Sequence, residues 1–93
     1  MSDYIISEYT KKRANELNVN VKPSKNKNKK IDVYKDGVFL FSIGANGYLD
    51  YQLYIKRFGM KYAQNRRRLY RLRHARNIQK KYSPAWYAAE LLW

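Results

Sequence analysis

Residues 31–41, Ile31-Asp32-Val33-Tyr34-Lys35-Asp36-Gly37-Val38-Phe39-Leu40-Phe41, are the stretch on which the fold turns. Two runs rich in β-branched and aromatic residues flank Lys35-Asp36-Gly37. An Asp-Gly pair in that setting predicts a tight hairpin, because a type I′ turn needs positive φ at both central positions. The hairpin is expected over about residues 31–43. A two-stranded ribbon is marginally stable by itself, so helices have to cover one face of it. The fold class read from this stretch is α+β, a small single domain with an N-terminal helix, one β-hairpin and two to three C-terminal helices.

The flanking sequence supplies those helices. Downstream, Gly44-Ala45-Asn46-Gly47-Tyr48 reads as a sharp connection. Residues 49–58 read as a short helix, with Leu49, Leu53 and Phe58 or Tyr51, Tyr54 and Ile55 facing inward. Asp50 caps it, and Gly59 ends or kinks it. Residues 60–81 form the expected main helix, whose inward stripe is Tyr62, Leu69, Leu72 and Arg76, the arginine laying its stem along the core. Ser83-Pro84 then opens a last helix, with Ser as N-cap and Pro at the first helical position. Upstream, residues 4–17 read as a helix with a stripe of Ile6, Tyr9, Arg13 and Leu17, capped by Ser2, Asp3 or Ser7. Residues 19–30 are linker or extended strand. The expected organisation is an N-terminal helix in 1–21, a lysine-rich linker in 22–30 and a hairpin-plus-helices domain in 31–93.

At 93 residues the chain is one domain at most, near the lower limit for independent folding. Apolar residues make up 45% and aromatics 16%, which argues against a disordered basic tail. No apolar run approaches the roughly 18 residues of a membrane span, and Met1-Ser2-Asp3-Tyr4 lacks the basic, apolar start of a secretory leader. Cysteine is absent, which excludes disulfides, thiolate metal sites and cysteine nucleophiles and fits a reducing compartment.

The formal charge of +13 is concentrated in two blocks. Residues 22–30 hold five lysines and no acid, and residues 56–81 hold eleven basic residues and no acid. A like-charge block stays solvated or meets a negative partner. For residues 22–30 the two readings are a flexible linker and a contact surface formed by Lys25, Lys27, Lys29 and Lys30. The second block contains Arg66, Arg67, Arg68, Arg71, Arg73 and Arg76, six arginines in eleven residues. On a helix they point nearly all round, unlike the segregated face of a membrane-surface helix, so no membrane partner is expected. Arginine forks match phosphate and carboxylate alike, and interleaved tyrosines serve both base stacking and protein interfaces. The closing segment, with Trp86, Tyr87, Leu91, Leu92 and Trp93, is apolar on nearly every side. It either folds back over the hairpin or docks on another chain through Trp86, Tyr87, Leu91 and Trp93.

Catalytic chemistry is not legible. His74 lies among arginines with no orienting carboxylate nearby in sequence. Asp50 has no second carboxylate to pair with, the other acids are scattered, and residues 44–47 are too short for a phosphate loop. No enzymatic activity, metal, cofactor or small-molecule substrate is expected.

One resemblance runs through these features. The order Gly44-Ala45-x-Gly47-Tyr48-x-Asp50-Tyr51, a basic stretch, Tyr70-x-x-Arg73-His74, Ser83-Pro84, Trp86-Tyr87 and Leu91-Leu92-Trp93 resembles a family of short basic proteins of nucleocytoplasmic large double-stranded DNA viruses, including those of algae and those of fish and amphibians. The likeness covers residues 31–93 and departs in 52–65, where the family is more mixed in charge. The family has no established activity, so the resemblance implies viral origin. By analogy it implies a non-enzymatic structural component of the virus particle, a minor capsid or internal virion protein, present in host cytoplasm or nucleus before assembly. Its partners are then other capsid proteins, met through their acidic surfaces. The alternative is a sequence-independent DNA-binding or genome-packaging protein, with nucleic acid as the partner.

Overall fold

The computed structural model describes residues 2–93. The chain forms two units, Met1–Tyr48 and Leu49–Trp93, of mixed α+β content.

In the first unit, Ser7 sets the start of α1 (Glu8–Glu16). Its side-chain oxygen accepts the Thr10 N–H at 3.1 Å, satisfying one of the unpaired donors of the first turn. The helix therefore begins four residues later than the expected start at residue 4. Its buried positions are Thr10 and Ala14, one turn apart, while Tyr9, Arg13 and Leu17 of the expected stripe are only half-buried. Residues ahead of the helix are tied down by the Ser2 N–H, which donates to the Ser24 carbonyl at 2.6 Å.

The sheet has three antiparallel strands in sequence order, β1 (Asn20–Pro23), β2 (Lys29–Lys35) and β3 (Val38–Ala45). Asp36 and Gly37 take φ of 51° and 79°, as the turn chemistry requires. The hairpin is longer than expected at both ends, and a bulge at Val33/Tyr34 shifts its register. The lysine-rich stretch is not a linker. Its first residues pair with β2, Lys22 opposite Asp32 and Pro23 opposite Ile31, and its last two lysines belong to β2 itself. Pro23 is tolerated because β1 is an edge strand. Residues 24–28 close this second turn with local bonds: Ser24 N–H to Lys30 O at 3.1 Å, Asn26 N–H to Ser24 Oγ at 3.0 Å and Asn28 N–H to Asn26 Oδ1 at 2.9 Å. Short polar side chains bonding their own backbone make the turn. As the central strand, β2 buries both faces: Ile31 and Val33 on one, Lys30 and Asp32 on the other.

The second unit is helical, with α2 (Tyr51–Phe58), α3 (Met60–Arg73), the single turn α4 (Ala75–Ile78) and α5 (Pro84–Leu92). Asp50 caps α2, accepting the Leu53 N–H at 3.2 Å. Gly59 serves two helices. Its N–H closes α2 onto Ile55 O at 2.9 Å, its carbonyl accepts the Ala63 N–H at 3.1 Å, and its φ of 91° suits glycine. The expected 60–81 helix stops early: His74, at φ −104° and ψ 12°, leaves the helical region. Ser83 caps α5 through the Trp86 N–H at 3.2 Å, with Pro84 behind it. Buried apolar side chains here are Tyr51, Ala63, Tyr87, Ala89, Leu91 and Leu92.

Candidate functional site

The face that α3 turns inward is not the expected one. Tyr62, Leu69 and Leu72 are 47%, 40% and 64% exposed, and Arg76 is exposed as well. The inward positions are Ala63, fully buried, then Arg66, Arg67, Tyr70 and Arg71. Their spacing of three and four makes one helical face.

Each inward arginine has a specific seat. The Arg66 guanidinium lies 5.3 Å over the Tyr54 ring, and that of Arg67 lies 5.0 Å over Tyr51. Arg71 Nη2 donates to the Ala89 carbonyl at 3.1 Å, one of the last four carbonyls of α5, which have no partner within their own helix. A guanidinium is planar and weakly hydrated, so it stacks on tyrosine faces where a lysine ammonium would stay in water. Tyr70 stacks on Trp93, centroids 4.3 Å apart and planes 8° apart, and Trp93 reaches Tyr54 at 5.9 Å. Burial pushes the Tyr70 hydroxyl above its ordinary value, against the opposing charges of Arg71 and Arg73; burial raises Tyr87 too.

The outward face combines basic and apolar groups. Arg68, Arg73 and Arg76 are exposed beside Leu69 and Leu72, and the surface continues along the same helix to Tyr62 and Met60. Phe58 packs its ring 4.8 Å from Tyr62 and is itself 55% exposed. Arg68 Nη2 also bonds Asn65 Oδ1 at 3.0 Å.

Other predicted contact residues divide in the same way. Lys25 and Lys27 are exposed at the β1–β2 turn, and Lys29 is half-buried. Lys30 is buried at 3% exposure, its ammonium 5.3 Å from the Tyr4 ring centroid, so it is a packing residue and not a surface contact. Among the closing residues, Tyr87 and Leu91 are core, at 3% and 0% exposure, because α5 turns them inward. Trp86 and Trp93 remain half-buried, Trp86 edge-on to Tyr82 and Tyr87.

One constellation has no counterpart in the sequence reading. Asp32, 2% exposed, accepts Ser24 Oγ and Ser42 Oγ at 2.6 Å each and the Lys25 N–H at 3.1 Å. Burial pushes its carboxyl up, but these three donors outweigh it and hold the group below its ordinary value. Ser24 is fully buried, so the trio ties the β1–β2 turn to β2 and β3 and does not face a substrate. The available signal was an acid between Ile31 and Val33 in a strand, a place that demands donors.

His74 packs its ring 4.4 Å from Tyr70, and Asp50 is the buried α2 cap. Among the described residues no group of three or more His, Asp or Glu is placed to hold a metal ion, and no helix is long and apolar enough to cross a membrane. No known protein family, curated protein or solved structure matches this chain.

Proposed function

We propose that the chain is a non-enzymatic structural component of a large DNA virus particle, a minor capsid or internal virion protein that docks on acidic surfaces of neighbouring capsid proteins. The viral setting rests on the motif resemblance. The docking chemistry rests on one observation: Leu69 and Leu72 are exposed among Arg68, Arg73 and Arg76, in a stretch without acids from residue 56 to 89. A nucleic-acid backbone would use the arginines and leave the leucines wet. An acidic protein surface with an apolar centre uses both, since interface cores favour apolar and aromatic groups with arginine and leave other charge to the rim.

The test is assembly of particles with Leu69→Ser/Leu72→Ser in place of the parent, alongside duplex-DNA binding by the isolated chain over a salt series. On this reading the double variant is lost from particles, and DNA binding is weak at physiological salt. Should the arginines neutralise phosphates instead, log affinity falls with log salt at about −0.9 per contact. A steep slope, tight residual binding and indifference to the leucine variant would assign the chain to genome packaging.

A further inference from the structure

Between its inward and outward faces, α3 borders a groove of about 600 Å³ lined by Gln64, Arg67, Arg68, Arg71 and Leu72. These positions follow one another at three and four residues, so they form one side of a single helix. Three of the five carry guanidinium groups, one an amide, and among the described residues no acid lines the groove. The Nε atoms of Arg67 and Arg71, like that of Arg66 outside the groove, are enclosed by the fold. Tyr51 covers one face of Arg67 and Ala89 holds one nitrogen of Arg71, so both groups are positioned before any ligand arrives.

We infer that this groove is a binding site for a phosphate dianion, free or as a monoester, held by Arg67, Arg68 and Arg71 with Gln64 as an additional donor. A tetrahedral dianion offers more acceptor oxygens than a carboxylate and so can engage three forks at once. The groove is larger than the anion, and Leu72 at its rim supplies apolar contact for the organic part of a monoester. The site borders the docking surface above and shares Arg68 and Leu72 with it, while Arg67, Arg71 and Gln64 belong to the groove alone and Leu69, Arg73 and Arg76 to the docking surface alone.

Thermal unfolding of the intact chain in inorganic phosphate, acetate and chloride at matched ionic strength tests this directly. Phosphate should raise the midpoint in a saturable way, while acetate and chloride should not. Arg67→Lys/Arg71→Lys keeps the charge and removes the forks, and should weaken phosphate by about tenfold or more, the cost of losing one charge-assisted bond. Arg73→Lys/Arg76→Lys, equally charge-neutral, should leave it unchanged. If circular dichroism shows the first pair unfolded, Arg68→Gln on an exposed side chain takes its place with the same expected loss. Phosphoserine as a second probe separates the sources: tighter binding than phosphate, abolished by Leu72→Ser, marks a monoester, and equal binding marks the free anion. Equal stabilisation by acetate, an unchanged phosphate response in the Arg67/Arg71 or Arg68 variant, or binding of duplex DNA without any response to phosphate or phosphoserine overturns the assignment. Leu69→Ser separates the two readings, since it should reduce docking and leave the phosphate response intact.

Discussion

The two units solve the problem of a basic chain in opposite ways. The first has nine basic side chains against five acidic, and it uses acids where they count. Asp32 ties β2 to β3 and to the β1–β2 turn from inside, and Glu8 and Glu16 pair with Lys11 and Arg13 at 3.3 and 3.0 Å on α1. The second has eleven basic side chains against two acidic, Asp50 and Glu90. It places inward arginines on tyrosine rings and on a helix-end carbonyl. A buried carboxylate needs donors, and a buried guanidinium needs π faces or carbonyls. The difference teaches that charge count predicts neither where a charge sits nor what it does for the fold.

The contrast breaks most directly at Asp32. Asp32→Ala removes the acceptor of the buried Ser24 hydroxyl, the half-buried Ser42 hydroxyl and the Lys25 N–H, and should cost about 3 kcal/mol of stability. Hydrogen exchange read separately on residues 2–48 and 49–93 should place the loss in the first unit. The same carboxyl gives that unit an acid limit. Its folded value is depressed, so its contribution is complete above the unfolded value of about 4 and disappears as pH falls through the folded value. Acidification below about pH 4 should open the sheet, and Asp32→Asn should remove most of that dependence.

Gly37→Val tests the turn. Nothing lies within 4 Å of a Cβ at this position, so the cost is conformational, from a β-branched residue at φ 79°. About 2 kcal/mol is expected, read as a lower denaturation midpoint with an unchanged m-value. Salt sharpens the comparison. Screening should stabilise the second unit by about 1 kcal/mol at most, by relieving repulsion among its cations, and should slightly weaken the exposed α1 pairs of the first. The smallest effect belongs to Leu69→Ser/Leu72→Ser. These leucines are exposed, so stability should change by less than about 0.5 kcal/mol while docking is lost.

What was legible from residues alone follows from range. The Asp36-Gly37 turn, the Asp50 and Ser83-Pro84 caps and the break at Gly59 depend on neighbours one to four positions apart, and each is found where the sequence puts it. Strand β1 stayed open between linker and extended strand because its partner is β2 and its composition is that of a solvated linker. Local turn bonds from Ser24 and Asn26, together with pairing to Val33 and Tyr34, override that composition. The orientation of α3 was hidden for a related reason. A hydrophobic stripe usually marks the core side, but here Ala63 faces inward with Arg66 and Arg67 on tyrosine rings and Arg71 on a helix-end carbonyl, leaving the leucines outside. Nothing local to residues 60–73 distinguishes those two arrangements. Of the ten predicted basic contacts, Lys30 is buried and Arg66, Arg67 and Arg71 take part in packing, so Lys25, Lys27, Arg68, Arg73 and Arg76 are the fully exposed members of that set.

The stack of Trp93 on Tyr70 also has an optical consequence. Both tryptophans of the chain, Trp86 and Trp93, lie in the second unit. Trp93 sits nearly parallel to its neighbouring phenol, whereas Trp86 meets Tyr82 and Tyr87 at 65° and 81°. Parallel and crossed rings couple their transition dipoles differently, so the two indoles should contribute distinct near-ultraviolet dichroic bands. Excitation at the red edge of indole absorption therefore follows the helical half alone, without a label, while the sheet half stays dark.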